Sequence, residues 1–390
     1  MSKAKDYIVN FFKGTDKLLL LLCLITSVFG ILIVTSVTMH KMPEGATIPR
    51  DTITMLVAVI LGMILAILIS FIDYDIICKL WPVWAALGII LMVLVMIIGV
   101  GPANRPDSKV WIDLKIFYFQ PSELVKIFFI ITFSKHLSMV KAHINKFKTI
   151  ILLAIHALIP VLLVMKSGDD GSALVFIFIA LGMLFIAGIS WKYIVGAVAL
   201  LAAAIPLVWV KLSDFQKARF IVIVNPDFDV DTAYQQNHGL AAIANGGFIG
   251  TGLFKGKYTQ SGYVPVQESD MVFTAIAEEL GMLGAIVALV LIIAVIFRII
   301  HNGKKAKSRS AYLMSYGLAT MIAAQTFINV AMCLRIGPVI GITLPFFSAG
   351  GSSSLCLYIG LGLAFSLYRS TYNQKPMNFR MNGIRSPFTT

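Results

Sequence analysis

The sequence predicts an all-α integral membrane protein with ten transmembrane helices and one large extracellular loop between helices 7 and 8. Three observations predict it. Hydrophobic residues make up 58% of the 390 residues and charged residues only 13%, whereas soluble domains are about a quarter charged. So few charges cannot cover that much apolar surface in water. The apolar residues also fall in runs near the 20 or so that a helix needs to cross the hydrocarbon core. Finally, the basic residues crowd into alternate connections, as the positive-inside rule requires of a multi-pass chain.

The ten runs are residues 17–38, 52–72, 81–101, 121–138, 149–165, 172–189, 191–211, 271–298, 311–334 and 349–369. The first is too long for a cleaved signal peptide and no small-residue cleavage site follows it. The fifth is short and carries His156 and Pro160. The sixth and seventh are joined only by Ile189-Ser190-Trp191 and must form a tight helical hairpin. Residues 1–390 then form a single polytopic domain, and 212–270 is its one long connection. Such loops are usually functional or disordered. This one holds aromatics, charges and the run Gly246-Gly247-Phe248-Ile249-Gly250-Thr251-Gly252, and is not of low complexity. No internal repeat or inverted symmetry is evident, which disfavours a transporter built from two halves.

Ten spans put both termini on one side. That side holds nineteen Lys and Arg residues, among them Lys3, Lys13, Lys141 and Arg309, against seven in the short loops opposite. Both termini are therefore expected in the cytoplasm. The same bias explains most of the net charge of +13 as basic loops facing anionic lipid, so no nucleic-acid partner is expected. Four scattered cysteines and six histidines show neither a disulfide framework nor a metal spacing. No cofactor is required by the sequence.

The nineteen acidic residues are few enough to weigh one by one. Glu123 opens span four behind Pro121, and Lys126 follows on the same face. They read either as a structural ion pair or as a charged wall for a polar substrate. Asp169 and Asp170 open span six, where helix capping competes with a site role. Asp270 closes the long loop and opens span eight, with Glu278 and Glu279 about 12 Å deeper. Its alternatives are a helix cap and a proton acceptor. For the two glutamates the alternatives are buried donors and a hydrated cavity. Arg219, Lys255, Lys257, Arg105 and Lys109 lie on the outer side, as a solvated face or as the cations that a pyrophosphate needs. The glycine run serves turns or brings backbone N–H groups to phosphate. The last outer loop, Leu344-Pro345-Phe346 to Gly350-Gly351-Ser352-Ser353, is either a plain turn or a wall of the same cleft.

Several of these strings together resemble the shape, elongation, division and sporulation family, whose members include RodA and FtsW. They are Trp111-Ile112-Asp113-Leu114 with Gln120-Pro121-Ser122-Glu123-Leu124, Asp169-Asp170-Gly171-Ser172-Ala173, Gly246-Gly247 with Gly250, Ser269-Asp270-Met271 running to Glu278-Glu279-Leu280-Gly281, and the Leu344 to Ser353 segment. The resemblance covers nearly the whole chain. It implies a peptidoglycan glycosyltransferase that polymerises lipid II, a disaccharide-pentapeptide on undecaprenyl pyrophosphate, at the outer face of the bacterial cytoplasmic membrane. It implies a class B penicillin-binding protein as partner, within an elongation or division complex. The family's essential aspartate falls on Asp270, and its other site residues on Trp111, Glu123, Lys126, Asp169 and Arg219. Lys109, Lys126 and Arg219 are the expected cations, Glu278 an expected substrate contact, and a divalent cation (Mg or Mn) could share the pyrophosphate charge. The sequence departs from the family pattern at Val110, Ser167-Gly168, His238 and Ala349. Phe71-Ile72-Asp73-Tyr74 and Gly252-Leu253-Phe254-Lys255-Gly256 lean towards RodA. The alternatives are a lipid II flippase and a non-catalytic scaffold of the wall-synthesis complex.

Overall fold

A computed structural model of the chain describes residues 14–42, 45, 47–101, 108–115 and 117–373. Each of the ten apolar runs contains a long helix. These are α1 (Lys17–Thr38), α2 (Arg50–Ser70), α4 (Trp81–Ile98), α5 (Pro121–Met139), α6 (Phe147–Lys166), α7 (Asp170–Ala187), α8 (Trp191–Lys211), α12 (Val272–Lys304), α13 (Arg309–Cys333) and α14 (Gly351–Asn373). Among the described residues eight of them are long and apolar enough to cross a membrane. α5 carries too many polar side chains to join them, and the described apolar stretch of α8, Trp191–Leu207, is shorter than the rest. The chain is a mostly helical, multi-pass membrane protein.

Local chemistry sets the helix ends. Asp16 caps α1 by accepting from the Leu18 and Leu19 N–H groups at 3.1 and 3.2 Å. Pro121 occupies the first position of α5, where its missing N–H costs nothing. α7 stops at Gly188, whose φ of 84° is the left-handed cap that glycine takes without strain, and the hairpin into α8 follows.

α13 and α14 form the centre. Of their apolar stretches 61% and 72% is buried, against 17% for α4 and α6. The outer helices therefore show their apolar faces to lipid. α14 lies along α2, where Gly62 meets Tyr358 so closely that a Cβ would come within 2.8 Å of that side chain. Small residues let helices approach in this way when no hydrophobic effect drives them together. α13 packs against α12, α7 and α5, and α1 packs against α12.

Three features differ from the expectation. The long connection is not one irregular loop: it contains α9 (Asp214–Val224), a 3-10 turn at Pro226–Phe228, α10 (Val230–Gly246) and α11 (Lys257–Gln260). A short helix α3 (Tyr74–Lys79) and a hairpin of β1 (Ile112–Asp113) and β2 (Tyr118–Phe119) also lie between spans. Finally, α12 is broken at Gly281, whose φ of 67° is non-helical. The glycine run docks on this break. Thr251 and Gly252 donate their N–H groups to the carbonyls of Glu278 and Glu279 at 3.0 and 2.9 Å, and Met282 donates back to the Gly247 carbonyl at 3.0 Å. A Cβ on Gly250 would sit 2.3 Å from the Glu279 carbonyl oxygen. The run thus brings backbone to backbone, with its N–H groups on protein carbonyls rather than turned to a phosphate.

Candidate active site

Asp270 lies two residues before α12 and is half-buried. Its backbone is pinned. Its N–H donates to the Val266 carbonyl at 3.2 Å, and its own carbonyl accepts from the Asn329 amide at 2.7 Å. The same fully buried amide donates to the Ile342 carbonyl at 2.7 Å. One side chain of α13 thereby joins the start of α12 to the segment before α14. That segment is closed further by the Ala349 N–H on the Glu268 carbonyl at 2.7 Å and by the Ser348 hydroxyl on the Ser269 carbonyl. At Gly341 the chain passes the carboxylate itself: a Cβ there would lie 3.5 Å from Asp270 Oδ2. The φ of 71° at that residue is one that glycine takes freely.

The electrostatics single out Asp270. Burial pushes its carboxyl from 3.8 up to about 6. A hydrogen bond from Ser269 and the Arg219 guanidinium pull it down, while Glu268 and Asp169 push it up. Arg219 comes from α9. It donates to the Val339 carbonyl at 2.8 Å and lies over the Phe215 ring, 4.5 Å from its centroid. Beside it opens a cavity of about 170 Å³ bordered by Tyr234, Gln235, Pro265 and Val339. A carboxyl raised to about 6 within the field of a fixed cation that borders a cavity is suited to taking a proton.

The chain matches the family model described as cell cycle protein, FtsW/RodA/SpoVE, over residues 16–373. It belongs to the FtsW/RodA/SpoVE family. Among its relatives is the peptidoglycan glycosyltransferase MrdB of Escherichia coli K12, 31% identical over 293 residues, or 74% of this chain and 79% of that one. The probable peptidoglycan glycosyltransferase FtsW of Geobacter sulfurreducens is 33% identical over 279 residues, covering 71% and 74%. A chain solved within a peptidoglycan synthase complex superposes with a TM-score of 0.78 at 26% identity, covering 92% of this chain and 99% of that one. The rod shape determining protein RodA of Thermus thermophilus gives 0.69 at 25% identity, covering 92% and 98%.

The fold brings Asp270, Arg219 and Asp169 into one electrostatic group. Asp169 is also a cap, as the alternative reading had it: it accepts from the Ser172 N–H at 3.0 Å, the Ser122 hydroxyl at 2.6 Å and the Gln120 amide at 2.8 Å. Asp170 accepts from Gln216 at 2.6 Å and so ties α7 to α9. Glu123 and Lys126 form an ion pair at 2.7 Å with the lysine fully buried. Lys109 reaches the Ile97 carbonyl at 3.4 Å, and its N–H donates to the Ser167 carbonyl at 2.8 Å, just before Asp169. Trp111 is half-buried beside Tyr118 on the hairpin, with ring centroids 6.2 Å apart. Arg105 lies outside the described residues.

Glu278 is turned elsewhere. It is fully buried and accepts from Asn245, the N–H groups of Tyr258 and Thr259, and the Thr259 hydroxyl, all at 2.7–2.9 Å. Glu279 accepts from Ser36 at 2.7 Å and Gln260 at 2.9 Å. These carboxylates hold the 245–260 segment against α12, the buried-donor alternative for both. Among the described residues no three His, Cys, Asp or Glu side chains converge as a metal site. Sequence reasoning missed Asn329 and Gly341, whereas Ser348 lies in the last outer loop, read as a plain turn or a wall of the cleft. Only Asn329 carried a signal, as an amide inside an apolar span.

Proposed function

We propose that the chain is a peptidoglycan glycosyltransferase that polymerises lipid II at the outer face of the cytoplasmic membrane, with Asp270 as general base. The observation that carries this reading is the Asp270 carboxyl, raised by burial to about 6 within the field of Arg219, the guanidinium that borders an open cavity. The peptidoglycan glycosyltransferase names of the relatives support the reaction class.

The acceptor's 4-hydroxyl on N-acetylglucosamine loses its proton to Asp270. Its oxygen forms a bond to the anomeric carbon of the donor as the bond from that carbon to pyrophosphate breaks. Undecaprenyl pyrophosphate leaves with the electron pair, and the α-linked donor becomes a β-linked product. A positioned base supplies about 10²–10⁴-fold. Fixed cations at the leaving group supply a comparable factor; Arg219 and Lys109 are the candidates, Lys126 being fully buried on Glu123, and a divalent cation on the pyrophosphate would add to them. Trp111, Glu123 and Asp169 shape the same mouth. Residues 1–390 act as one polytopic unit with 212–270 outside and both termini in the cytoplasm. A class B penicillin-binding protein of an elongation or division complex crosslinks the strands.

The test is purified chain, with and without a class B partner, given lipid II and resolved for glycan strands on a gel. Strands are expected from wild type and none from Asp270→Asn. Lipid II translocation without polymer would instead make the chain a flippase, and normal strands from Asp270→Asn would remove the base.

A further inference from the structure

A second surface of the long connection extends from the edge of the Arg219 cavity and is not used by the chemistry of bond formation above. Tyr234 and His238 stack one turn apart on α10, with ring centroids 4.0 Å apart. Tyr258 and Tyr263 close on them, and His238 lies 6.3 and 6.0 Å from those two rings. Tyr258 and Tyr263 themselves meet edge to face at 6.0 Å. This is not a buried core. Tyr234 is 40% exposed and Tyr263 45%, and among the described residues neither hydroxyl hydrogen-bonds to the protein.

The cluster is rigid. The Tyr258 N–H is held by the buried Glu278 at 2.8 Å, and the Tyr263 N–H donates to the Tyr258 carbonyl at 3.1 Å. Between them Gly262, at φ 65°, lets His40 pack on the backbone; a Cβ there would lie 2.7 Å from the imidazole Nε2. His238 Nδ1 lies 3.1 Å from the Tyr234 carbonyl. A carbonyl only accepts, so Nδ1 carries the proton and Nε2 of the neutral ring is an acceptor.

We propose that the exposed aromatic platform of Tyr234, His238 and Tyr263 is a saccharide-binding subsite that holds the glycan strand beyond the bond being formed. The inference rests on the glycosyltransferase reading and adds to it a second place of contact. Three features support a sugar. A pyranose ring has an apolar C–H face and a rim of hydroxyls. Aromatic faces carry negative charge that attracts the C–H groups, and tyrosine offers a large amphipathic area at little entropy cost. Phenol hydroxyls and a histidine nitrogen at the rim then read the hydroxyls. The platform also adjoins the cavity beside Arg219, whose charge acts on Asp270. Tyr234 borders the Arg219 cavity. Tyr263 and Asp270 are only seven positions apart, a reach of at most about 25 Å.

The test has a binding arm that needs no catalysis. The full chain carrying Asp270→Asn, in nanodiscs, is titrated with a soluble tetrasaccharide of alternating N-acetylglucosamine and N-acetylmuramic acid, without lipid or pyrophosphate. Saturable binding is expected. Adding Tyr234→Ala with Tyr263→Ala should weaken it roughly tenfold, and the matching Tyr→Phe pair should restore most of it. No binding, or an affinity unmoved by the alanine pair, overturns the subsite. In the polymerising arm the alanine pair on the otherwise wild-type chain should shorten the strands several-fold more than it slows lipid II consumption. A proportional fall in both overturns it, as does quenching of a Tyr263→Trp fluorophore by brominated lipid, which would make the platform a membrane anchor. If the wild-type chain forms no strands, the glycosyltransferase reading fails while the binding arm still reports on the platform.

Discussion

Two aspartates, Asp16 buried and Asp270 half-buried, stand at opposite ends of α12 and are treated in opposite ways. Asp16, at the far end, is 1% exposed. It receives the Arg298 guanidinium through two bonds of 2.6 and 2.9 Å, the Asn302 amide and two backbone N–H groups. Burial alone would raise its pKa, but these partners outweigh burial and hold it below the ordinary carboxylate range. Asp270 is also desolvated, yet only Ser269 and Arg219 oppose the burial, and two neighbouring acids reinforce it. The same residue type is a fastener where its charge is saturated and, on the proposed reading, a proton acceptor where it is not. The difference is one of partners, since burial acts on both.

That contrast predicts which substitution breaks what. Asp270→Asn should give the largest functional loss, about 10²-fold or more in lipid II polymerisation, with no loss of stability at pH 7. The sign follows from linkage. The folded pKa lies above the ordinary 3.8, so ionising this group costs stability increasingly as pH rises towards 6, and asparagine removes that cost. A thermal midpoint in detergent well below that of wild type would contradict this. Asp16→Asn should do the reverse. It breaks a buried pair, at a cost of about 3 kcal/mol, and leaves the activity of each folded molecule intact. Its folded pKa is lowered, so the stability it confers is present above about 3.8 and fades as pH falls through the folded value. The midpoint difference between wild type and variant should therefore narrow in acid.

A smaller effect is expected at Asn329→Leu, which frees both the Asp270 and Ile342 carbonyls. Losing about 1.4 kcal/mol of positioning would slow turnover roughly tenfold with lipid II affinity little changed. Equal losses in kcat and in affinity would argue that Asn329 is merely structural. The smallest effect should come from Glu278→Gln. Its four donors are protein groups, so the variant should loosen the 245–260 segment, seen as faster amide exchange there, before it alters chemistry.

The sequence made the apolar helices legible because the bilayer enforces length and composition together; a helix lies in each of the ten runs, and among the described residues eight are long and apolar enough to cross. Asp270 was legible because an acid at the junction of a long loop and an apolar run has few neutral explanations. The break at Gly281 was not legible, since a glycine inside an apolar run reads as tolerated until the Gly246–Gly252 backbone is seen to occupy it. The helices of residues 212–270 were hidden for a related reason. They are short and polar, and α9 matters only because it carries Arg219 to a residue fifty-one positions away. Asn329 and Gly341 act through backbone contacts that no spacing rule announces. The roles of Glu123 and Lys126 were legible only as a pair, which is how they occur.

The most direct measurement of the central claim is the pH dependence of kcat/KM for lipid II polymerisation, in wild type and in Arg219→Gln. A base held at about 6 predicts a rate that falls in acid with an apparent pKa near that value. It also predicts a limb that moves to higher pH once the cation opposing the burial is gone. A rate that stays level as pH falls through that range, or a limb that ignores the loss of Arg219, would contradict it.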